Sequence, residues 1–375
     1  MSAFALLVRE QKFGERVEND ASGPEPDIMS HSPGLRRGSL ATRLALGGRD
    51  EAPRISVWHH FRFNPDFLSF ACAQQMGKVP SVGVILTSPL TSPHYQAFLR
   101  GLHDLGYVEG KNIAIVPKSG EGNPNRFPGF ARELVRLNVN VMVAAGDQGV
   151  RAAKEATGTI AIPIVAVACD PLDSLVVSIA RPGGKATGLT CISSELASKR
   201  LQLLKELLSP LTRVAILYNP DDQNKEWEYK QSQEAADKLK LTLRAYEARS
   251  SVEIDEAFTR IMDDHMQALI IFSDGLTTAH QKKLADDALA ARLPAMFGFR
   301  EFTEMGGLVS YGASNTGMWR RAASYVDRIL RGSNPGDLPI EQPTRFELVV
   351  NLKTAKELGL EIPPNVIARA DDVIE

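Results

Sequence analysis

No apolar run in the 375-residue chain reaches the ~20 residues that span a bilayer. Cysteine is scarce. Cys72, Cys169 and Cys191 form no CxxC and no metal-ligand spacing. They are expected to be small buried hydrophobes, and a Cys169–Cys191 disulfide stays open only for an oxidising compartment. Charge of one sign is lacking too: the net charge of −2 leaves no basic footprint for nucleic acid. No GxSxG, HExxH or P-loop occurs. Gly183-Gly184 is followed by Lys185-Ala186 rather than Lys-Ser/Thr. The histidines beyond residue 78 (His94, His103, His265, His280) lie singly and are expected as solvated helix positions. Nothing therefore suggests a catalytic residue, a cofactor or a metal site.

What is present is a soluble composition, 43% hydrophobic and 23% charged, on a chain long enough for two domains. Residues 1–77 stand apart: Gly, Pro, Ser and Arg are mixed without a sustained period (SHSPGLRRGSLATRLALGG), which predicts disorder or a degenerate signal region. A secretory signal needs a basic start, 7–15 apolar residues and a small-x-small cleavage site. Only FLSFACAQQ at Phe67–Gln75, with Ala71-Cys72-Ala73, fits its last part. Export is the expected fate. A cytosolic protein with a floppy tail is the alternative, and Cys72 as a lipid anchor is a poorer one.

From Lys78 on, short β-branched runs alternate with helical patterns. Strands are expected to start near residues 82, 112, 139 and 162, and again near 214, 241, 268 and 293. Strand–helix alternation at this spacing means parallel sheets, and the same order occurring twice means two similar α/β lobes. Residues 78–190 with about 306–335 are assigned to lobe 1, and 191–305 with about 338–375 to lobe 2. The stretch Val165–Thr190 connects them: a buried strand ends at Cys169-Asp170-Pro171, and a helix capped by Asp173 or Ser174 stops at Arg181–Gly184. Ala186–Thr190 then begins a hinge of more than one strand.

In open parallel sheets, ligands bind beyond the carboxyl ends of the strands. Residues there are the candidates. Thr87 and Ser88 either hold a carboxylate or cap a turn. Tyr95 either stacks on a ligand ring or packs on its loop. Gly146-Asp147-Gln148 opens a helix, with Asp147 foremost an N-cap and Gln148 offering its backbone N–H. Asp170 accepts from an ammonium or braces the hinge. Asn219 and Asp221 follow a strand but also read as a plain turn. Ser273-Asp274 is better placed, and Asp274 is the expected partner of an amino group. Phe299 and Arg300 follow the last strand of the second lobe, and Tyr311 ends another.

The stretches RPGGKATGLT, GGLVSYG, RAASYVDRILRG, DLPIEQPTRFELVVNLKTAKELGLEIPP and ARADDVIE resemble the ABC-transporter substrate-binding family that includes tryptophan-binding transporter components. The resemblance runs over Val79–Glu375. It implies a two-lobed, type I periplasmic-binding-protein fold that captures a small solute, an amino acid or aromatic acid, for a membrane permease. Departures fall on cleft-side loops: Asp173-Ser174 after the Asp-Pro, Val116–Ser119 in place of Arg and an aromatic, and Asp147-Gln148 in place of Thr-Pro. The expectation is a periplasmic, monomeric binder with no nucleic-acid partner. A cytosolic ligand-sensing domain and an α/β enzyme are the rivals; the first needs a helix-turn-helix, and Met1–Gln75 shows none.

Overall fold

Two runs of alternating strands and helices give two sheets with the same strand order. The structure, a computed structural model, describes residues 79–169 and 176–375. The expectations for residues 1–77, for Asp170 and for a helix cap at Asp173 or Ser174 lie outside the described residues; over residues 176–181 the chain is irregular, and the helix expected to run to Arg181 does not form there. The first sheet contains β1 (Ser81–Leu86), β2 (Ala114–Ser119), β3 (Val141–Ala145), β4 (Ile164–Ala168) and β5 (Ala186–Thr190), all parallel, in the order β2-β1-β3-β4-β5. Its inner strands β1, β3 and β4 read as continuous apolar runs because helices cover both faces. Among them are α1 (Pro93–Asp104), α2 (Phe127–Arg136) and α3 (Gly146–Thr157).

After α4 (Ala197–Leu207) the second run begins: β6 (Arg213–Tyr218), α5 (Gln223–Leu239), β7 (Thr242–Glu247), α6 (Ser251–Asp263) and β8 (Ala268–Ile271). Then come α7 (Gly275–Ala279), α8 (Gln281–Ala290), β9 (Ala295–Phe297), α9 (Arg300–Glu304), β10 (Val309–Gly312) and α10 (Asn315–Leu330). The chain ends with β11 (Glu347–Asn351), α11 (Leu352–Leu358), α12 (Pro364–Ile367) and β12 (Asp372–Ile374). Reading from β7, the second sheet runs β7-β6-β8-β9-β10-β11-β12. Its first five strands repeat the order of the first sheet. Only β11 runs antiparallel to its neighbour β10, and β12 pairs parallel with β11.

Three details differ from the sequence reading. A single helix over Thr278–Ala290 is instead α7 and α8, because Asp274 caps a separate short turn. The last strand, β12, was not foreseen; DVI is too short to show a period. The return to lobe 1 expected at about residue 306 comes later. β10 belongs to the second sheet, and the chain packs back from α10 onward, with Phe98 of α1 edge-on to Trp319 at 6.1 Å. Gly101 permits that approach: a Cβ there would stand 2.7 Å from the Arg320 carbonyl oxygen.

The chain passes between the sheets three times: after β5, after β10, and between Glu341 and β11. Glu341 still pairs with β5, its N–H donating to the Gly188 oxygen at 2.9 Å and its oxygen accepting from Thr190 N at 3.0 Å. The expected multi-strand connection is therefore a three-stranded one. At its first strand Cys169 and Cys191 form a disulfide, with Cα atoms 4.7 Å apart. That replaces the primary expectation of unpaired buried thiols.

Candidate functional site

Doubly wound sheets place their switch points where strand order reverses, here between β1 and β3 and between β6 and β8. Loops from the carboxyl ends of both sheets meet around one cavity. The first sheet supplies Thr87 after β1, Gly146 and Asp147 after β3, and Cys169 after β4. The second supplies Asp222 after β6, Ser273 and Asp274 after β8, and Phe299 after β9. His94, Asn315, Met318 and Trp319 close one side. The two sides touch: Thr87 Cγ2 lies 3.2 Å, and Gln148 Oε1 3.7 Å, from where a Cβ on Gly275 would stand. Gly122 likewise faces His280, whose Cε1 is 2.8 Å from the equivalent Cβ position. The loops thus form a narrow, largely closed cleft.

One side of the cavity is acidic. The helix α3 starts at Gly146 with Ala145 as its N-cap, two residues earlier than the sequence suggests, so Asp147 is not its N-cap and makes no capping bond. Gly146 has φ +65°, a turn that glycine takes without strain. The Asp147 carboxyl is thereby turned into the cleft, buried, with Oδ1 lacking a hydrogen-bond partner among the described residues. It meets Asp222 from the opposite side, with the Asn224 side chain beside the pair. Burial, then the charge of Asp222, holds the Asp147 carboxyl well above the usual carboxylate range. Burial also raises Asp222, against the pull of Lys225. Asp222 caps α5, accepting from Asn224 N at 3.2 Å.

Behind this pair lies a buried ion network. Glu228 accepts from Lys225 Nζ at 2.9 Å and from Arg200 Nη1 at 3.0 Å. Burial alone would raise the Glu228 pKa; the two cations outweigh it and hold the carboxyl below the usual range. Asp274 is not free in the way the sequence suggested. Its Oδ1 accepts from Thr277 N and its Oδ2 from Asn219 N, both at 2.9 Å, in a capping box for α7. Burial still lifts it to about 6.

The opposite side is aromatic. Trp319 and Met318 come from the first turns of α10, whose N-cap Ser314 accepts from Gly317 N at 3.2 Å. The His94 ring lies 5.3 Å from the Trp319 ring. His94 was expected in solvent; it is 3% exposed instead, because the N-terminal turn of α1 packs beneath α10. Burial lowers its pKa to about 4, so the ring is neutral near pH 7. Its Nε2 is 3.2 Å from Ser92 Oγ, and its Nδ1 has no partner among the described residues.

Of the residues singled out from sequence, Thr87, Gly146, Asp147, Ser273, Asp274 and Phe299 line the cavity, and Gln148 contacts the opposite loop. Asn219 is fully buried beside it, holding Asp221 N and Asp274. Ser88 is buried behind Thr87, its oxygen accepting from Ser119 Oγ. Tyr95 packs into the core beside Phe98. Tyr311 rests against Phe346, and its carbonyl accepts from Arg200 Nε at 2.9 Å. Asp221 points outward to Arg249 at 3.4 Å, and Arg300 joins Glu304, Glu347 and Asp372 away from the cavity. The sequence reading missed Asp222, His94, Met318 and Trp319. A signal existed for Asp222: it stands immediately before a helix, where an Asp caps. The others carried none: Trp319 reads as core from its spacing on α10, and a lone His94 reads as a solvated helix position.

The family model described as ABC transporter substrate binding protein matches residues 80–374. A tyrosine-binding protein from Clostridioides difficile (strain R20291) is 23% identical over 287 residues, covering 76% of this chain and 82% of that protein. Among solved structures, a conserved domain protein from Vibrio cholerae matches with a TM-score of 0.73 at 28% identity, over 79% of this chain and 100% of that one. An ABC domain from Streptococcus pneumonia in complex with L-Trp matches with a TM-score of 0.72 at 22% identity, over 79% and 100% respectively. With the repeated strand order and the shared cleft, a match over residues 80–374 means that this chain belongs to the ABC transporter substrate-binding protein family.

Proposed function

We propose that the cleft captures an α-amino acid with an aromatic or large apolar side chain and presents it to a membrane permease. One observation carries this reading: a buried acidic pair faces an aromatic wall inside a single cavity built from both lobes. The ammonium group is placed at Asp147 and Asp222 by charge-assisted hydrogen bonds. The carboxylate is placed at the N-terminal ends of α3 and α10, with the Thr87, Ser273 and Thr278 hydroxyls around it. The side chain lies against Trp319, Met318 and Phe299. The names of two relatives, a tyrosine-binding protein and a complex with L-Trp, support this class of solute.

The lobes in this reading are residues 79–190 with 315–341, and residues 194–312 with 347–375. Solute touches both and so favours the closed arrangement. The Cys169–Cys191 disulfide supports residence outside the cytoplasm. The protein acts as a monomeric carrier, without catalysis and without nucleic acid. A thermal-shift panel tests this: L-tryptophan and L-tyrosine should raise the melting temperature by mass action, and indole-3-propionate, which lacks the amine, should do so less. No shift with any amino acid or aromatic acid would remove the reading, and consumption of the solute would replace it with an enzymatic one.

A further inference from the structure

The charges around Asp147 do not balance. From α5, Lys225 and Asp222 face it; from the cap of α7, Asp274; from α1, neutral His94 lines the same cavity; Glu228 and Arg200 lie behind. Arg200 and Lys225 are the two cations of the group. Glu228 takes bonds from both, so among the described residues these two cations stand against three carboxyls, Glu228, Asp222 and Asp147, and the pull of Lys225 on Asp147 is outweighed by burial and by Asp222. Asp274 is satisfied by two backbone N–H groups. Asp147 is 7% exposed, so solvent does not compensate it, and its Oδ1 and the neighbouring Ser273 Oγ are buried with no partner among the described residues. A buried carboxylate without a cation is costly, and the inexpensive remedy is a proton. Two carboxyls in contact share one for the same reason.

We infer that solute capture is an exchange of one proton for one cationic group: Asp147 and Asp222 hold a proton between them in the solute-free protein, and a solute ammonium takes its place as the proton passes to solvent. This rests on the amine-bearing solute proposed above. The exchange balances. Two carboxyls with one proton carry one negative charge; two carboxylates with one ammonium also carry one. The charge at the acidic pair is therefore the same before and after, and the one negative charge added by the solute's carboxylate falls to the N-terminal ends of α3 and α10. The exchange also discriminates. A desamino analogue has no cation to replace the proton, and a cationic group with no apolar body leaves the Trp319 side unfilled.

The test is calorimetry of wild-type protein with L-tryptophan and with L-tyrosine, at one pH in several buffers of different ionisation enthalpy. About one proton should be released per solute bound, and affinity should rise with pH by up to tenfold per unit until the pair is ionised. Asp147→Asn should bind more weakly with no proton released; Asp222→Asn, which keeps the α5 cap, should do the same. Wild-type binding without proton release, or undiminished release from both variants, would overturn the exchange while leaving amino-acid capture intact. Should neither amino acid bind at any pH, the capture reading itself fails, and the solute-free proteins still decide the proton. The shared proton stabilises the fold at low pH, and that contribution is lost as pH rises through the pair's folded pKa. The melting temperature of Asp147→Asn should therefore gain on wild type between pH 5 and pH 9. A constant difference would overturn the shared proton.

Discussion

Glu301 shows burial acting on a single carboxyl. It is 1% exposed, and neither oxygen has a partner among the described residues. Burial lifts its pKa from 4.5 to about 7. The folded value lies above the unfolded one, so this residue favours the fold below pH 4.5 and loses that contribution as pH rises through about 7. Glu301→Gln keeps the shape and removes the titration. In urea denaturation the variant should match wild type near pH 4.5 and exceed it by about 3 kcal/mol near pH 8.5. Parallel pH profiles of the two proteins would show that the carboxyl ionises without cost. Asp274 is also buried and is lifted to about 6 although two backbone N–H groups donate to it, so burial outweighs those bonds there.

Between elements, one guanidinium joins two of the three connections. Arg200 on α4 donates from Nε to the Tyr311 carbonyl of β10, at the second crossing. Its Nη1 donates to Ser193 Oγ at 2.9 Å, beside the first crossing, and to Glu228 of α5. Removing it leaves a buried carboxylate with one cation instead of two and strands the Ser193 and Tyr311 acceptors. Arg200→Ala should therefore lower the unfolding free energy by about 3–5 kcal/mol, far beyond the worth of a surface ion pair. A loss under about 1 kcal/mol in denaturant titration would mean that water substitutes for the guanidinium. Gly312 belongs to the same junction: a Cβ there would stand 1.9 Å from the Gly298 oxygen, so the strands can approach only with hydrogen at that position.

For the molecule as a whole, the proposed capture has the cleft work by closing, and its tightest contact is the place to test that. Gly275 has no room for a large side chain while Thr87 faces it at 3.2 Å from the Cβ position. Each sheet has an apolar cluster of its own, around Ile85, Met142 and Ile164 in the first and around Ile216, Ile270 and Val350 in the second, so a wedge should hold the lobes apart without unfolding either. Gly275→Leu is expected to leave the melting temperature of solute-free protein within a few degrees of wild type. It should weaken L-tryptophan binding at least tenfold and enlarge the radius of gyration in solution scattering. Unchanged affinity would show that solute is bound without these loops meeting.

The chain order alone determined the architecture. Apolar strands recurring at even spacing, with helical periods between them, require parallel pairing, and the recurrence of the pattern requires two kindred sheets. The carboxyl ends of the strands are enough to point to Thr87, Gly146, Asp147, Ser273, Asp274 and Phe299, which line the cavity, since ligands of open parallel sheets bind beyond those ends. Tertiary structure decided which neighbour turns inward. Asp222 faces the cleft and Asp221 faces solvent because one residue is the helix cap and the other the turn before it. It also decided that His94 and Trp319 form a wall, through helices far apart in sequence whose packing no local period encodes. Charge balance in the cleft is likewise a property of the assembled fold. Whether Asp147 needs a proton depends on how many cations stand within reach once burial has removed the water.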